Sequence, residues 1–323
     1  MLFHILSEIL RVENLKKYFT KRNWLGKQSS LVRAVDGVSF SVNAGQSFVL
    51  AGESGSGKTT IAKLILRSIE PDFGKIIFDG TEITSKKDDL KKIRMGCQMV
   101  YQDPYDSVNP QMKVKDIIAE PLEIHKIGDA KQRILDVLRE VRLEPAEEIM
   151  EKYPHMLSGG QRQRVVLARA LVLKPKMIIA DEPVSMLDVS IRAEILELIE
   201  NLRNKHGISF VYITHDLATA RYLGSNIAIL YLGKIVEIGP IDDVLLSPKH
   251  PYTQALLDAV SEPDPKNLHN EKTIRINEPK KIDVYSGCRF RARCPYAFDK
   301  CEIEPDLEDV GNNRSVACFA KLD

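Results

Sequence analysis

The stretch GESGSGKTT at residues 52–60 constrains the fold of this 323-residue chain more than any other segment. It satisfies the pattern G-x-x-x-x-G-K-[ST] with Gly52, Gly57, Lys58 and Thr59. The short apolar run SFVLAG precedes it, as in a strand buried on both faces, and apolar residues at helical spacing follow it. A glycine-rich turn between a buried strand and a helix is the context in which this pattern binds phosphate. We therefore predict a P-loop in an α/β fold.

The chemistry of this loop follows from its residue types. Glycines let backbone N–H groups curl around phosphate oxygens, and the N-terminus of the following helix adds the positive end of a dipole. Lys58 would place a charge near the β- and γ-phosphates, and the Thr59 hydroxyl would face Mg²⁺. The same nucleotide site is expected to include the other residues of the loop, which are Ser54, Gly55, Ser56 and Thr60.

A second segment, MIIADEP, supports the same site. Its apolar run ends in Asp181 and Glu182, so a strand would deliver two carboxylates at its C-terminal end. We expect Asp181 to hold Mg²⁺, through water, and Glu182 to act as the general base that polarises the attacking water. The alternative is that the two acids cap a helix.

Composition excludes other classes of protein. Lys and Arg number 46 and Asp and Glu 45, so the chain lacks the basic excess of a nucleic-acid binder. No apolar run reaches the roughly 18 residues of a membrane span, and the N-terminal MLFHILSEIL lacks the pattern of a signal peptide. We expect a cytoplasmic protein.

The order of the predicted elements indicates a parallel sheet. The runs KMIIAD and ISFVYITHD read as buried strands, and the helical SIRAEILELIENLRNKH separates them. ILRVENLKKYF is predicted as a strand running into a turn, and VRAVDGVSFSVNAG as strands joined by a turn at Asp36–Gly37. Prolines multiply after about residue 246. We predict an ATPase domain over 1–245, with a helical subdomain at about 103–170, and a C-terminal extension over 246–323.

The segment LSGGQRQR at 157–164 completes a recognisable set of motifs. Taken alone, Ser158 would be a plausible helix N-cap. With the two segments above, the chain strongly resembles ABC-type ATPases, which implies a mixed-sheet core with a helical subdomain. The resemblance implies a head-to-tail dimer in which ATP lies between one subunit's P-loop and the partner's signature. The signature residues that would act on the partner's ATP are Ser158, Gly159, Gly160 and Gln161.

Four further positions match functional residues of that family. Tyr18 matches the aromatic that stacks on adenine, although Phe19 or a purely structural role remains an alternative. Gln102 matches the glutamine that links the metal to the transporter, and with Thr59 and Asp181 it would form the Mg²⁺ shell. His215 matches the histidine that touches the γ-phosphate, which makes it catalytic together with Glu182 and Gln102. Asp188 in SMLD matches the acid of the loop that crosses the dimer, and Met186 departs from the usual alanine there.

The resemblance narrows at SPKHPYTQALLDAV, residues 247–260, and the tail that follows. Both look like the C-terminal extension of oligopeptide/dipeptide importer ATPases, and DEPVSMLDVSIRAEIL looks like the second of their two paired subunits. The implied partners are a second, different ATPase, two membrane-spanning permeases on whose cytoplasmic face both would dock, and an extracytoplasmic solute-binding protein. Alternatives are another cargo, such as an oligosaccharide or nickel, a non-transport ABC ATPase, or a nonhydrolytic regulatory subunit.

Four of the five cysteines are concentrated in the tail. They are spaced C-x5-C-x6-C-x16-C, with three arginines interleaved: Cys288, Cys294, Cys301 and Cys318, then Arg289, Arg291 and Arg293. A cytoplasmic location disfavours disulfides, and zinc sites usually use closer cysteine pairs. We expect a [4Fe–4S] cluster whose charge the arginines offset, as the resemblance to the tails of this importer subgroup also implies, with structural zinc or scattered buried free thiols as the alternatives. Cys97, in an apolar segment, is expected to lie in the core.

Overall fold

The computed structural model describes residues 7–22, 28–104, 107–259 and 285–320. Twelve strands lie within these ranges: β1 (Glu8–Arg22), β2 (Gln28–Asn43), β3 (Ser47–Ala51), β4 (Phe73–Phe78), β5 (Thr81–Glu82), β6 (Cys97–Val100), β7 (Met177–Asp181), β8 (Ser209–Thr214), β9 (Asn226–Tyr231), β10 (Lys234–Pro240), β11 (Glu308–Asp309) and β12 (Ser315–Val316). The strands expected around residues 9–19, 47–52, 177–181 and 208–216 are therefore present, but the turn expected in residues 9–19 is wrong, because β1 continues to Arg22.

Ten α-helices connect these strands within the same ranges: α1 (Lys58–Ile65), α2 (Lys87–Gly96), α3 (Val114–Ile124), α4 (Ala130–Glu140), α5 (Ala146–Ile149), α6 (Gly159–Leu171), α7 (Val189–His206), α8 (Leu217–Leu223), α9 (Ile241–Leu246) and α10 (Pro251–Asp258). Helices α3 to α6 occupy the stretch predicted to be mostly helical. In the described parts of the chain, none of the helices is long and apolar enough to cross a lipid bilayer.

The larger sheet has eight strands in the order β11-β12-β10-β9-β3-β8-β7-β6. Its centre, from β9 to β6, is parallel, and β10 and β12 add antiparallel strands at one edge. The predicted parallel α/β sheet is confirmed, in the mixed form. Because β3 and β7 are separated only by β8, their C-terminal ends carry the P-loop and the Asp181–Glu182 pair to the same edge of the sheet.

The central strands are buried on both faces. Along β3, Phe48 and Leu50 belong to one hydrophobic cluster, while Val49 and Ala51 belong to the other. One cluster lies between the two sheets and around α1 and α2, and the second joins the opposite face to the remaining helices. Continuous apolar strands are therefore required here, because a polar side chain on either face would be buried. Cys97 is buried in the first cluster, as expected.

The smaller sheet is antiparallel, in the order β2-β1-β4-β5. Here the prediction of a turn at Asp36–Gly37 is wrong, because β2 runs through these residues without reversing. The register against β1 shifts by one residue at this point, and Gly37 has a φ of +79°. The Asp-Gly pair instead forms a β-bulge, with its glycine in the left-handed region. The bulge shifts the pairing of β2 with β1 by one residue and does not end the strand.

The tail continues the architecture of the preceding chain. β12 pairs with β10, so residues after 285 complete one edge of the eight-stranded sheet. Glu237 of β10 is fully buried and accepts hydrogen bonds from the backbone N–H groups of Lys249 and His250, at 3.0 Å each, and from Arg314. Phe290 packs edge-on against Tyr231 at 5.3 Å between ring centroids. The division of the chain near residue 246 stays a prediction.

Candidate functional site

The loop between β3 and α1 has a backbone that only glycine can supply at two positions. Gly52 and Gly57 have φ values of +146° and +110°. A Cβ atom at Gly52 would lie 2.2 Å from the carbonyl oxygen of Leu230, and one at Gly57 would lie 2.2 Å from that of Ala34. Since both obstacles are backbone atoms, the loop cannot accept a side chain there without moving a strand. The two pattern glycines are therefore required by the close approach of neighbouring backbone.

Lys58 begins α1 and turns back over this loop. Its Nζ donates to the carbonyl oxygens of Gly52 at 2.7 Å and Glu53 at 2.9 Å. Burial lowers the pKa of Lys58, and the nearby carboxylates of Glu182 and Asp181 oppose that shift. A lysine held by carbonyl oxygens inside a glycine-rich loop places one compact positive charge at the centre of the site.

Thr59 and Asp181 meet across the sheet edge. The Thr59 hydroxyl donates to Oδ2 of Asp181 at 2.9 Å, although the two residues are 122 positions apart. Burial raises the pKa of Asp181, partly offset by that hydrogen bond. A hydroxyl and a buried carboxylate in contact are hard oxygen donors of the kind that Mg²⁺ prefers. The predicted metal-facing pair is thus brought together.

Glu182 contacts the side chains of Gln102 and His215, which are both distant from it in the sequence. Its carboxylate accepts a hydrogen bond from Nε2 of Gln102 at 2.9 Å, and Nδ1 of His215 lies 2.7 Å from its other oxygen. Glu182 has a φ of +47°, so the chain leaves β7 in a left-handed conformation at this residue. The three side chains predicted to be catalytic therefore form one hydrogen-bonded group.

These groups surround one open cavity. Of the predicted residues, those lining it are Ser54, Gly55, Gly57, Lys58, Thr59, Thr60, Gln102, Asp181 and Glu182. A second, adjoining cavity is lined by Gly52, Ser54, Gln102, Glu182 and His215 among others. Ser56 lies beneath the loop and is buried, with its backbone oxygen accepting from Gly233 at 2.8 Å.

Tyr18 lies next to this cavity on β1, but it is not among the residues that line it. Its hydroxyl donates to Asp36 at 2.6 Å, and burial together with this hydrogen bond raises the pKa of Tyr18 to about 12. The Arg33 guanidinium lies over its ring, 5.9 Å from the centroid. Its proposed contact with adenine stays a prediction.

The sequence analysis missed the contribution of the tail to this site. Tyr285 lines the first cavity. Arg293 forms a double ion pair with Glu53 of the P-loop, at 3.1 and 3.2 Å, and the hydroxyl of Tyr252 accepts from the Glu53 backbone N–H at 2.9 Å. No local pattern signals contacts across about 200 residues or more. The charge of Arg293 was the only sequence signal for the ion pair with Glu53, but its position between the cysteines suggests a role at the cysteine site instead.

The signature segment lies elsewhere on the molecule. Ser158 caps α6 in a capping box, accepting from the Gln161 N–H at 3.3 Å while the Gln161 side chain accepts from the Ser158 N–H at 3.0 Å. The N-cap alternative for Ser158 is therefore also present. None of Ser158, Gly159, Gly160 and Gln161 lines either cavity described above. Asp188 occupies the N-cap position of α7.

The four tail cysteines line one small pocket, together with Arg291, Phe290 and His250. Burial is the main cause that raises the pKa of Cys294 and Cys318, each to about 11. Among the described residues, no three His, Cys, Asp or Glu side chains are grouped closely enough to hold a single metal ion. Arg289 pairs with Asp36 and Arg293 with Glu53, whereas Arg291 lines the pocket of the cysteines; that these arginines offset the charge of a cluster stays a prediction.

Comparison with known proteins gives two matches to family models. Residues 35–185 match the ABC transporter family, and residues 236–301 match the C-terminal region of oligopeptide/dipeptide transporters. The two matches fall on either side of β8 and β9, and together they include the P-loop, the signature and three of the four tail cysteines.

Individual relatives match over almost the whole chain. A probable peptide ABC transporter ATP-binding protein of Sinorhizobium fredii is 43% identical over 97% of this chain and 90% of its own length. A di/tripeptide transport ATP-binding protein of Pseudomonas aeruginosa is 39% identical over 97% of this chain and 98% of its own. A solved dimeric ATP-binding cassette, bound to ADP and phosphate after hydrolysis, aligns with a TM-score of 0.62 at 28% identity, covering 72% of this chain and 98% of its own.

Proposed function

This chain belongs to the ABC transporter ATP-binding family, in the branch with the oligopeptide/dipeptide transporter C-terminal region, and we propose that it hydrolyses ATP to power peptide import. One observation carries the chemical part of the proposal. Lys58, Thr59, Asp181, Glu182 and Gln102 line a single cavity at the C-terminal edge of a parallel sheet. A lysine in a glycine-rich loop facing two carboxylates is the arrangement that phosphoryl transfer to water requires.

The oxygen donors of this edge fit a magnesium ion. Thr59, Asp181 and Gln102 would hold Mg²⁺, which when bound neutralises charge on the phosphates. Lys58 and the N–H groups of the loop bind the same phosphates, with the α1 N-terminus adding its dipole. Glu182 accepts the proton of the attacking water, and the neighbouring His215 orients that carboxylate and reaches toward the terminal phosphate.

Hydrolysis is expected to require two ATPase subunits. The signature residues of one chain lie away from its own P-loop cavity, so they are available to a nucleotide held by a partner. Ser158 and the first turn of α6 would present a hydroxyl, N–H groups and a positive dipole end to that nucleotide. ATP would close the dimer and hydrolysis would open it, which is a shift between two states through differential contacts. Asp188 would lie in the loop that crosses this interface.

Two substitutions separate binding from chemistry. Glu182→Gln should keep ATP affinity and lose most turnover, because the amide cannot accept the proton. Lys58→Ala should instead weaken ATP binding, because it removes a contact made before the reaction begins. Both are measured by ATP titration and phosphate release in the assembled transporter. Hydrolysis at the wild-type rate by Glu182→Gln would show that another group is the base.

The finer assignment concerns partners and cargo. We propose that this subunit pairs with a different ATPase and docks on the cytoplasmic face of two permeases, through the groove around Gln102 and the helical region after it, including the segment at 103–110. Residues 105 and 106 of that segment lie outside the described residues. Tyr101, beside Gln102, is 45% exposed, which leaves an aromatic side chain for such a contact. The upstream component would be an extracytoplasmic peptide-binding protein.

A reconstituted transporter tests cargo and partner together. Peptides of a few residues, delivered with the solute-binding protein, should raise ATP hydrolysis, whereas an oligosaccharide or Ni²⁺ should not. Stimulation by either of those ligands in place of peptide would favour the alternative cargo. Full activity from a stable homodimer without permeases would contradict the proposed assembly.

The tail cysteines are proposed to bind a [4Fe–4S] cluster. All four line one pocket whose lining is otherwise mostly apolar, so thiolates are the ligands that it offers. The zinc alternative would instead need all four thiolates around one ion. A cluster binds each thiolate at a different iron, so its ligands stand farther apart. Cys288, Cys294, Cys301 and Cys318 would hold it as a structural staple.

Metal analysis decides between the two centres. Protein purified without oxygen should be brown and contain about four iron and four sulfide per chain, as the cluster type requires. Cys294→Ser should lose the colour, while Cys97→Ser, which changes a core thiol outside the tail, should keep it. Colourless protein with one zinc per chain would contradict the cluster hypothesis and support a structural zinc site.

A further inference from the structure

One part of the P-loop cavity has no role in the chemistry described above. Its lining there comes from β2 and from the turn after β9, and includes Val32, Ala34 and Leu232. Tyr285, from the tail, closes the same part, and it is the aromatic residue among the described residues that line this cavity. The carboxylates of the lining, Asp181 and Glu182, lie instead with the phosphate-binding residues.

The ring of Tyr285 is held from several sides. Its hydroxyl accepts a hydrogen bond from the backbone N–H of Arg33 at 3.2 Å. The guanidinium carbons of Arg33 and Arg289 lie 5.0 and 5.3 Å from its centroid. Arg289 is itself nearly fully buried, where it pairs with Asp36 and donates to the carbonyl oxygen of Leu232. The tail therefore positions this aromatic ring through contacts with the ATPase core.

Tyr18 also contacts Arg33. Arg33 lies over the rings of both Tyr18 and Tyr285, while only Tyr285 is part of the cavity lining. Aromatic faces beside apolar side chains bind the flat face of a purine, whereas they offer nothing to phosphates. We infer that Tyr285 contacts the base of the nucleotide held by the P-loop, so that the tail supplies a specificity-determining residue to the ATP site. The inference rests on the proposed function.

Two ligands that share the phosphates and differ in the base provide the test. MgATP and magnesium tripolyphosphate are titrated into the full chain by calorimetry. Tyr285→Ala should weaken ATP binding at least about fivefold, the lower end of the effect of losing base–aromatic stacking. Tripolyphosphate affinity should stay unchanged. Tyr285→Phe should bind ATP within about twofold of wild type, because it keeps the ring, and Tyr285→Leu should behave like the alanine variant.

Tyr296→Ala is the matched control, because this tyrosine belongs to the same tail but is 43% exposed and does not line the cavity. It should leave both affinities unchanged. Wild-type ATP affinity in Tyr285→Ala and Tyr285→Leu would overturn the inference. Equal losses for both ligands, or a loss in Tyr285→Phe as large as in alanine, would also overturn it, since the residue would then only support the loop.

Lys58→Ala distinguishes failure of this inference from failure of the proposed function. If Lys58→Ala loses affinity for both ligands while the Tyr285 variants lose none, the P-loop binds nucleotide and only the role of Tyr285 is wrong. If wild type binds neither ligand, or Lys58→Ala binds both as wild type does, the ATP site itself is wrong and the inference fails with it.

Discussion

Replacing Arg314 with leucine should destabilise the whole chain, although residue 314 lies far along the sequence from most of the sheet. Arg314 is the charge partner of Glu237, whose side chain is completely buried on β10. After the substitution the carboxylate would keep its two backbone donors, the N–H groups of Lys249 and His250, at 3.0 Å each. Removing one member of a buried ion pair costs about 3–5 kcal/mol, because the remaining charge is left uncompensated.

That cost is large beside the about 5–15 kcal/mol that separates a folded domain from its unfolded state. Two matched variants identify its origin. Glu237→Gln in the Arg314→Leu background should recover part of the lost stability, because it removes the buried charge while its one amide oxygen still accepts from one of the two backbone N–H groups. Arg221→Ala breaks the exposed Arg221–Asp242 pair, 3.0 Å long, and should cost about 0–1 kcal/mol.

Urea unfolding followed by far-ultraviolet circular dichroism measures all four proteins. Trypsin digestion under native conditions adds a second measurement, because a released tail should be cleaved before the P-loop region. The reasoning fails if Arg314→Leu is no less stable than Arg221→Ala. It also fails if Glu237→Gln brings no recovery, since the loss would then come from packing and not from a buried charge.

Substitutions in three other parts of the chain are expected to have distinct effects. Gly57→Ala should abolish ATP binding, because the added Cβ atom would lie 2.2 Å from a backbone carbonyl oxygen. Gly55→Ala should reduce ATP binding less, because the space around Gly55 is open and only its φ of +79° disfavours a side chain. Calorimetry measures the ATP affinity of both variants. Burial would raise the pKa of Asp36, but its contacts with Tyr18 and Arg289 hold that pKa below the usual range. That stabilisation is present above about pH 4 and is lost as pH falls further, so urea unfolding should show the gap between wild type and Arg289→Met narrowing in acid. Ser158→Asp should keep the helix cap and the thermal stability but lose ATP turnover, because it places a negative charge against the phosphate of the partner's nucleotide. Ser158→Ala should lose ATP turnover and, in addition, about 1 kcal/mol of folding stability, because it removes the cap.

Those parts of the site that depend on residues close together in the sequence could be predicted. The P-loop needs glycines, a lysine and a hydroxyl in one turn, and the buried run before Asp181 fixes the strand end that carries the acid. The contact between Thr59 and Asp181 then follows from two parallel strands ending at one edge. Such patterns are predictable because both the chemistry and the geometry lie within a few residues.

Two features of the fold could not be read in that way. The Asp36–Gly37 pair satisfies a hairpin turn and a bulge equally well, and only the pairing of β2 with β1 decides between them. The placement of the tail depends on Arg289, Arg293 and Tyr285 finding partners more than 200 residues away. Arginines among cysteines carry no signal of those partners, so the sequence favours the cysteines as the groups that they serve.

The ion pair between Arg293 and Glu53 spans 240 residues and has a consequence for synthesis on the ribosome. Translation at about 5–20 residues per second separates the two partners by roughly 10–50 s. Throughout that interval the P-loop lacks one of its anchors and Asp36 lacks Arg289, while Glu237, once made, lacks Arg314 until 77 more residues have been added. A nascent chain paused before residue 289 therefore lacks the arginine partners of Glu53, Asp36 and Glu237, and also the Phe290 ring that packs on Tyr231, so we expect it to be less stable than the complete chain.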